Sequence, residues 1–259
     1  MKRLLVHLPL LVTVTLGALL AAHGPIAQLP RYHEFADRSV LMGLPHAADV
    51  LSNIGFGLVA LWGLARLWPM QGPGRDGYRL FLVGLLLTAA GSALYHLAPD
   101  DARLVWDRIP IALACAGLLA AVRAECLAKA GSLAASVLLG IVAVLSVAWW
   151  YVTERSGAGD LRPYLLIQCL PLLLIPMWQF IHGAPRRDKV AFGIALALYV
   201  LAKWAELNDH ALLDALGVVS GHTIKHLLAT AAAAVLVARL IERERAADRE
   251  ADPKSWCQV

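Results

Sequence analysis

The polar residues able to do chemistry in this chain lie inside segments that are otherwise apolar. Ser92 and His96 stand at i and i+4 in Gly91-Ser92-Ala93-Leu94-Tyr95-His96, on one face of a helix. Asp107 follows in Val105-Trp106-Asp107-Arg108-Ile109-Pro110, and His222 and His226 share a face in Ser220-Gly221-His222-Thr223-Ile224-Lys225-His226. Two histidines one turn apart and a third from another helix make a three-histidine zinc site with its fourth tetrahedral position open to water. A metal held in this way lowers the pKa of its water to about 7 and polarises a carbonyl. Plainer readings exist for each residue alone. An i, i+4 histidine pair is common, a histidine at a helix end bonds a carbonyl, a lone serine reads as helix packing, and Asp107 has Arg103 and Arg108 as neighbours. Convergence of all of them at one membrane depth favours the metal.

The remaining polar residues carry less. Glu206, Asp209 and Asp214 close the seventh apolar segment and read as a solvated helix end, with orientation of a ligand histidine as the alternative. Lys225 lies between the two histidines on another face and is expected to snorkel outward. Asp49 and Asn53 open the second segment, where a carboxylate suits a helix N-terminus. Trp106, Trp149, Trp150 and Tyr151 read as an interfacial aromatic belt.

The elements that must position these groups follow from composition. Of 259 residues, 59% are hydrophobic and 16% charged, and mean hydropathy is +0.63, against about 25% charged and 45–50% apolar in a soluble domain. A soluble enzyme and a disordered chain are both excluded. The net charge of +4 is spread singly or in short groups, without the clustered basic face that nucleic acid requires. Cys115, Cys126, Cys169 and Cys257 have no CxxC spacing, so neither a disulfide framework nor a thiolate metal site is expected.

Apolar runs near the ~20 residues that cross a bilayer recur at Leu4 to Ala22, Ala48 to Trp68, Leu80 to Leu97, Leu104 to Val122, Leu133 to Val152, Leu161 to Ile181, Val190 to Leu207 and Val218 to Ile241. The expectation is an all-α polytopic bundle of eight helices, the first a retained helix in preference to a signal peptide. Residues 1–30 form an N-terminal helix and loop, 31–241 the main bundle and 242–259 a charged tail that begins as an extension of the last helix and then frays. With the N-terminus cytoplasmic, that side collects 15 of the 23 Lys and Arg, placing both termini there. His96, Asp107 and the His222/His226 pair then meet near the outer side. The Ala- and Leu-rich composition points to a bacterium, its inner membrane and a periplasm-facing site.

Ser-x-x-x-His at Ser92 and His96, Asp107 eleven residues later before a proline, and His-x-x-x-His at His222 and His226 resemble the alkaline ceramidase family, within the CREST superfamily of membrane hydrolases. Asp49-Val50-Leu51-Ser52-Asn53 adds to the likeness, which runs from about Tyr32 to Leu240. The resemblance implies a seven-helix core with the Leu4 segment added, zinc on His96, His222 and His226, Asp107 acting on the zinc water, and Ser92 near the scissile carbonyl. Eukaryotic members carry a calcium site with Glu seven residues before the equivalent of Asn53. His46 stands there in this chain, and Glu34 and Asp37 lack the spacing, so calcium is not carried over. The implied activity is hydrolysis of a ceramide-like N-acyl lipid to a sphingoid base and a fatty acid, a step of sphingolipid metabolism. The alternatives are a related lipid ester or amide hydrolase, and a receptor-like lipid-binding protein with structural zinc.

Overall fold

The structure, a computed structural model, describes residues 5–127 and 132–251. Lys2, Arg3, Leu4, Lys129 and the tail from Asp252, with Lys254 and Cys257, lie outside the described residues. The chain is an all-α polytopic bundle, and among the described residues seven helices are long and apolar enough to span a membrane. In order the helices are α1 (Leu8–His23), α2 (Ala47–Ser52), α3 (Ile54–Leu67), α4 (Arg75–Leu97), α5 (Asp101–Cys126), α6 (Ser132–Arg155), α7 (Arg162–Ile181), α8 (Arg186–Leu207), α9 (Asp209–Leu216) and α10 (Gly221–Ala251). A two-stranded hairpin, β1 (Val40–Leu41) and β2 (Leu44–Pro45), precedes α2. Met42 and Gly43, both at positive φ, turn it.

Two boundaries differ from the sequence expectation. The first segment forms a helix of 16 residues, about 24 Å long and shorter than the ~30 Å hydrocarbon core. Pro9 suits the first helical turn, and Gly24 at positive φ, followed by Pro25, ends the helix. The second segment is broken at Asn53 into α2 and α3, which together make one span. The last helix continues past Ile241 through Ala251, extending into the charged tail as expected.

Leucines and valines such as Leu58, Leu138, Leu145 and Val200 are exposed on the outer faces of the spans, as expected where the surroundings are lipid. Inside, α4 and α5 approach most closely. Gly77, Gly84 and Gly91 recur every seven residues on α4. A Cβ at Gly84 would lie 2.6 Å from the backbone nitrogen of Ala114, and one at Gly77 would run into Ala121. At Gly91 the obstruction is the carbonyl of Trp106. Pro110, four residues on, has no N–H to offer that carbonyl, and α4 packs against it. This contact fixes the register that sets Ser92 and His96 against Asp107.

The loop between α1 and β1 folds back over the end of the bundle and is tethered by Asp160, buried between α6 and α7. Its carboxylate accepts hydrogen bonds from the Arg162 side chain at 2.9 Å, from Trp149 Nε1 at 2.9 Å and from the Arg162 backbone N–H at 3.1 Å. It also accepts from the Ile26 N–H at 3.4 Å, while Arg162 Nη1 reaches the carbonyls of Leu20 and Ala21 at the end of α1. The Arg162 guanidinium, with Trp149 and the two backbone N–H groups, holds the Asp160 carboxyl well below the usual carboxylate range.

Two outcomes follow from this packing. Gly91→Ala should destabilise the protein by about 1–3 kcal/mol, because the added carbon meets backbone that cannot rotate away; denaturant unfolding in detergent measures it, and wild-type stability would contradict the close approach. A depressed carboxyl in the folded state gives stability that is present above the unfolded value of about 3.9 and lost as pH falls through the folded one. Wild type should therefore unfold at a higher temperature than Asp160→Asn at neutral pH, with the gap narrowing below about pH 4; a pH-independent gap would count against the tether.

Candidate metal centre

His96 lies in the last turn of α4, and His222 and His226 lie in the first two turns of α10. The three rings meet at one end of the bundle, with centroids 4.7, 5.1 and 4.8 Å apart and all three side chains buried. One nitrogen from each lies within 4.8 Å of the others. His96 Nε2 and His222 Nε2 are 3.2 Å apart. Two metal–nitrogen bonds of about 2.0–2.1 Å at a tetrahedral angle separate their nitrogens by about 3.3 Å, so this spacing fits a metal between them.

The second nitrogen of His226 and the backbone of His222 are held by neighbours. Ser52 Oγ donates to the Asp49 carbonyl at 2.9 Å and lies 2.7 Å from His226 Nδ1. With the hydroxyl proton so committed, Nδ1 of His226 is the N–H donor and Nε2 keeps its lone pair for a metal. Ser220 caps α10 by accepting from the Thr223 N–H at 3.0 Å, and the Ser220 and Thr223 hydroxyls both donate to Asp49 Oδ1. Asp49 and Ser52, three residues apart on α2, thus dock that short helix onto the start of α10. Asp209 Oδ1 accepts from the His222 N–H at 2.7 Å and its Oδ2 from the Ala36 N–H at 2.8 Å. Phe35, next to Ala36, sets its ring 4.5 and 4.4 Å from those of His96 and His222 and covers them.

Asp37 anchors the same loop. Burial pushes its carboxyl up, but the Asp49 N–H, the Ser39 hydroxyl and N–H and the Ala48 N–H outweigh that and hold it below the usual range. His46, at the position considered for calcium, turns Nδ1 to the Asp37 carbonyl at 2.6 Å. Sequence reasoning missed Phe35, Ser52, Ser220 and Thr223. Ser220 had a signal, as a capping residue just before a helix; Phe35 sits in a loop with no periodicity to mark it.

Several expectations are corrected. Lys225 does not snorkel outward: Nζ lies 3.1 Å from Glu206 Oε1 and 2.8 Å from His222 Nε2, because α8 packs on α10 and offers a carboxylate inside the bundle. Glu206 is accordingly no solvated helix end, being held between Lys225 and Lys203. Asp209 is also engaged, on the backbone of a candidate ligand rather than on its ring, whereas Asp214 is exposed as expected. Trp106 and Trp149 are exposed, but Trp150 is fully buried beneath Arg108 and belongs to the core.

Asp107 and Ser92 are buried and line one cavity with His226. Ser92 is the hydroxyl that faces the carboxylate. Neither neighbouring arginine takes Asp107: among the described residues Arg103 pairs with Asp100, and Arg108 bonds Gln28. Asp107 Oδ1 and His96 Nδ1 are buried without a hydrogen-bond partner among the described residues. The cavity, of about 450 Å³, lies within the roughly 300–1,000 Å³ of small-molecule sites, and its walls beyond these groups are mainly apolar, including Phe56, Phe81 and Leu85.

Fold and site together define a multi-pass membrane protein with a buried three-histidine cluster that can hold a metal ion. No protein-family model matches the chain, and no curated protein matches it. The purified full-length protein should hold one metal ion per chain by elemental analysis, lost in His226→Ala and retained in Asp107→Asn, since the carboxylate is outside the cluster. Equal metal content in wild type and His226→Ala would contradict the assignment.

Proposed function

We propose that this protein is a zinc-dependent intramembrane amidase that hydrolyses ceramide-type N-acyl sphingoid lipids to a sphingoid base and a fatty acid. The observation that carries this reading is the sharing of one apolar cavity by Ser92, Asp107 with its unpartnered Oδ1, and His226 of the histidine cluster. The resemblance of the same residues to the alkaline ceramidase pattern supports it. Three imidazoles without a thiolate or carboxylate are a donor set suited to zinc. The charge distribution supports cytoplasmic termini and a site toward the outer side, and the Ala- and Leu-rich composition supports a bacterial inner membrane, with that site facing the periplasm.

His96, His222 and His226 would hold the ion, which when bound supplies Lewis-acid polarisation of the amide carbonyl and acidification of water. Asp107 Oδ1 takes a proton from the attacking water as a general base. Oxygen bonds to the carbonyl carbon, and the oxyanion that forms accepts a hydrogen bond from Ser92 Oγ. Asp107 then returns the proton to the nitrogen, the C–N bond breaks, and amine and carboxylic acid leave. The apolar walls keep the acyl and sphingoid chains out of water while the bond is cut.

Turnover across a panel of N-acyl lipids tests this reading. Asp107→Asn should lose about 100- to 10,000-fold and Ser92→Ala about 100- to 1,000-fold. Unchanged turnover in either variant would sink the mechanism. Full zinc occupancy with no turnover on any lipid ester or amide would replace hydrolysis with lipid binding.

A further inference from the structure

Arg108 follows the proposed base in sequence and lines the same cavity, yet the mechanism makes no use of it. It is 3% exposed and sits in a membrane-spanning helix, where a guanidinium, always charged, is expensive to keep. Three rings surround it: Trp150 at 4.0 Å from the guanidinium carbon, Tyr32 at 5.2 Å and Tyr164 at 5.3 Å. These cation–π contacts offset part of the cost. Among the described residues one neutral acceptor is supplied, Gln28 Oε1 at 2.8 Å from Nη2. Nε and Nη1 are buried with no hydrogen-bond partner among the described residues. Elsewhere in the bundle, three partly buried bases face carboxylates: Lys225 has Glu206, Arg239 has Asp188 and Arg243 has Glu125. Arg108 thus keeps two unanswered donors at the wall of a lipid-sized cavity, with the charge of the Asp107 carboxylate nearby but no ion pair to it, and a desolvated guanidinium selects a planar oxyanion above any neutral group.

We propose that Arg108 is the recognition cation for a lipid carboxylate, so that the cavity takes an N-acyl lipid presenting a carboxylate either on its headgroup or, after cleavage, on its released acyl chain. The inference rests on the reading of this cavity as the lipid site of an amidase. It sharpens the substrate class, because ceramide itself has no acidic group and an N-acyl amino acid does.

The test is binding to the full-length protein in lipid nanodiscs, by equilibrium dialysis in the cold with intact lipid confirmed by mass spectrometry. N-palmitoylglycine is compared with its methyl ester, and palmitate with methyl palmitate. An acid should bind about 10- to 100-fold more tightly than its ester in at least one pair, as one charge-assisted contact would give. Preference in the first pair assigns the headgroup, and preference in the second alone assigns the product. Equal affinities in both pairs of wild type overturn the proposal, whatever the variants do. Arg108→Gln should abolish the preference. Gln28→Glu, which keeps the arginine and gives it a resident carboxylate, should reduce it several-fold even if Arg108→Gln does not fold; a preference unchanged in Gln28→Glu assigns the carboxylate elsewhere. Acid preference without turnover of any amide would remove the amidase reading and leave Arg108 as assigned, whereas turnover with equal affinities would do the reverse.

Discussion

Imidazole nitrogens cannot face one another inside an apolar bundle without a proton or a cation between them, and the rest of this structure is organised around three that do. Unpaired polar groups in a dry interior cost several kcal/mol each, so a cluster of this kind persists only where it is filled or supported. Support is visible on each side. His226 is backed by Ser52, the backbone of His222 is held by Asp209, and Phe35 closes the face toward the loop. The exception is the unpartnered Nδ1 of His96.

Placing those rings is a packing problem before it is a chemical one. The third histidine comes from α4, and its depth relative to Asp107 is set by glycines that let α4 lie against the backbone of α5. The other two come from α10, whose first turn is fixed by the Ser220 cap and by Asp49 on α2. Distant parts of the chain therefore meet at one point through small residues and buried hydroxyls. The N-terminal loop completes the site, and Asp160, between α6 and α7, holds the start of that loop at Ile26.

The histidines, Asp107 and Ser92 were legible in the sequence because helical spacing and the order of the spans place them at one depth. The apolar runs likewise gave the helices to within a few residues. What was not legible is the direction of long side chains. Lys225 has a face of the helix that periodicity alone sends outward, and only the packing of α8 on α10, which puts Glu206 opposite, turns it inward. Trp150 was unreadable for the same reason: a tryptophan near a helix end suits an interface, and burial beneath Arg108 depends on which neighbours arrive. The heptad of glycines at 77, 84 and 91 was in plain sight, but which helix it meets is a tertiary fact.

X-ray absorption at the zinc edge of the purified protein measures directly whether His96, His222 and His226 hold one zinc ion. Three imidazole nitrogens at about 2.0–2.1 Å with one further light ligand is the predicted result. A protein that binds no zinc, or a spectrum with sulfur ligands or fewer than three imidazoles, would contradict it.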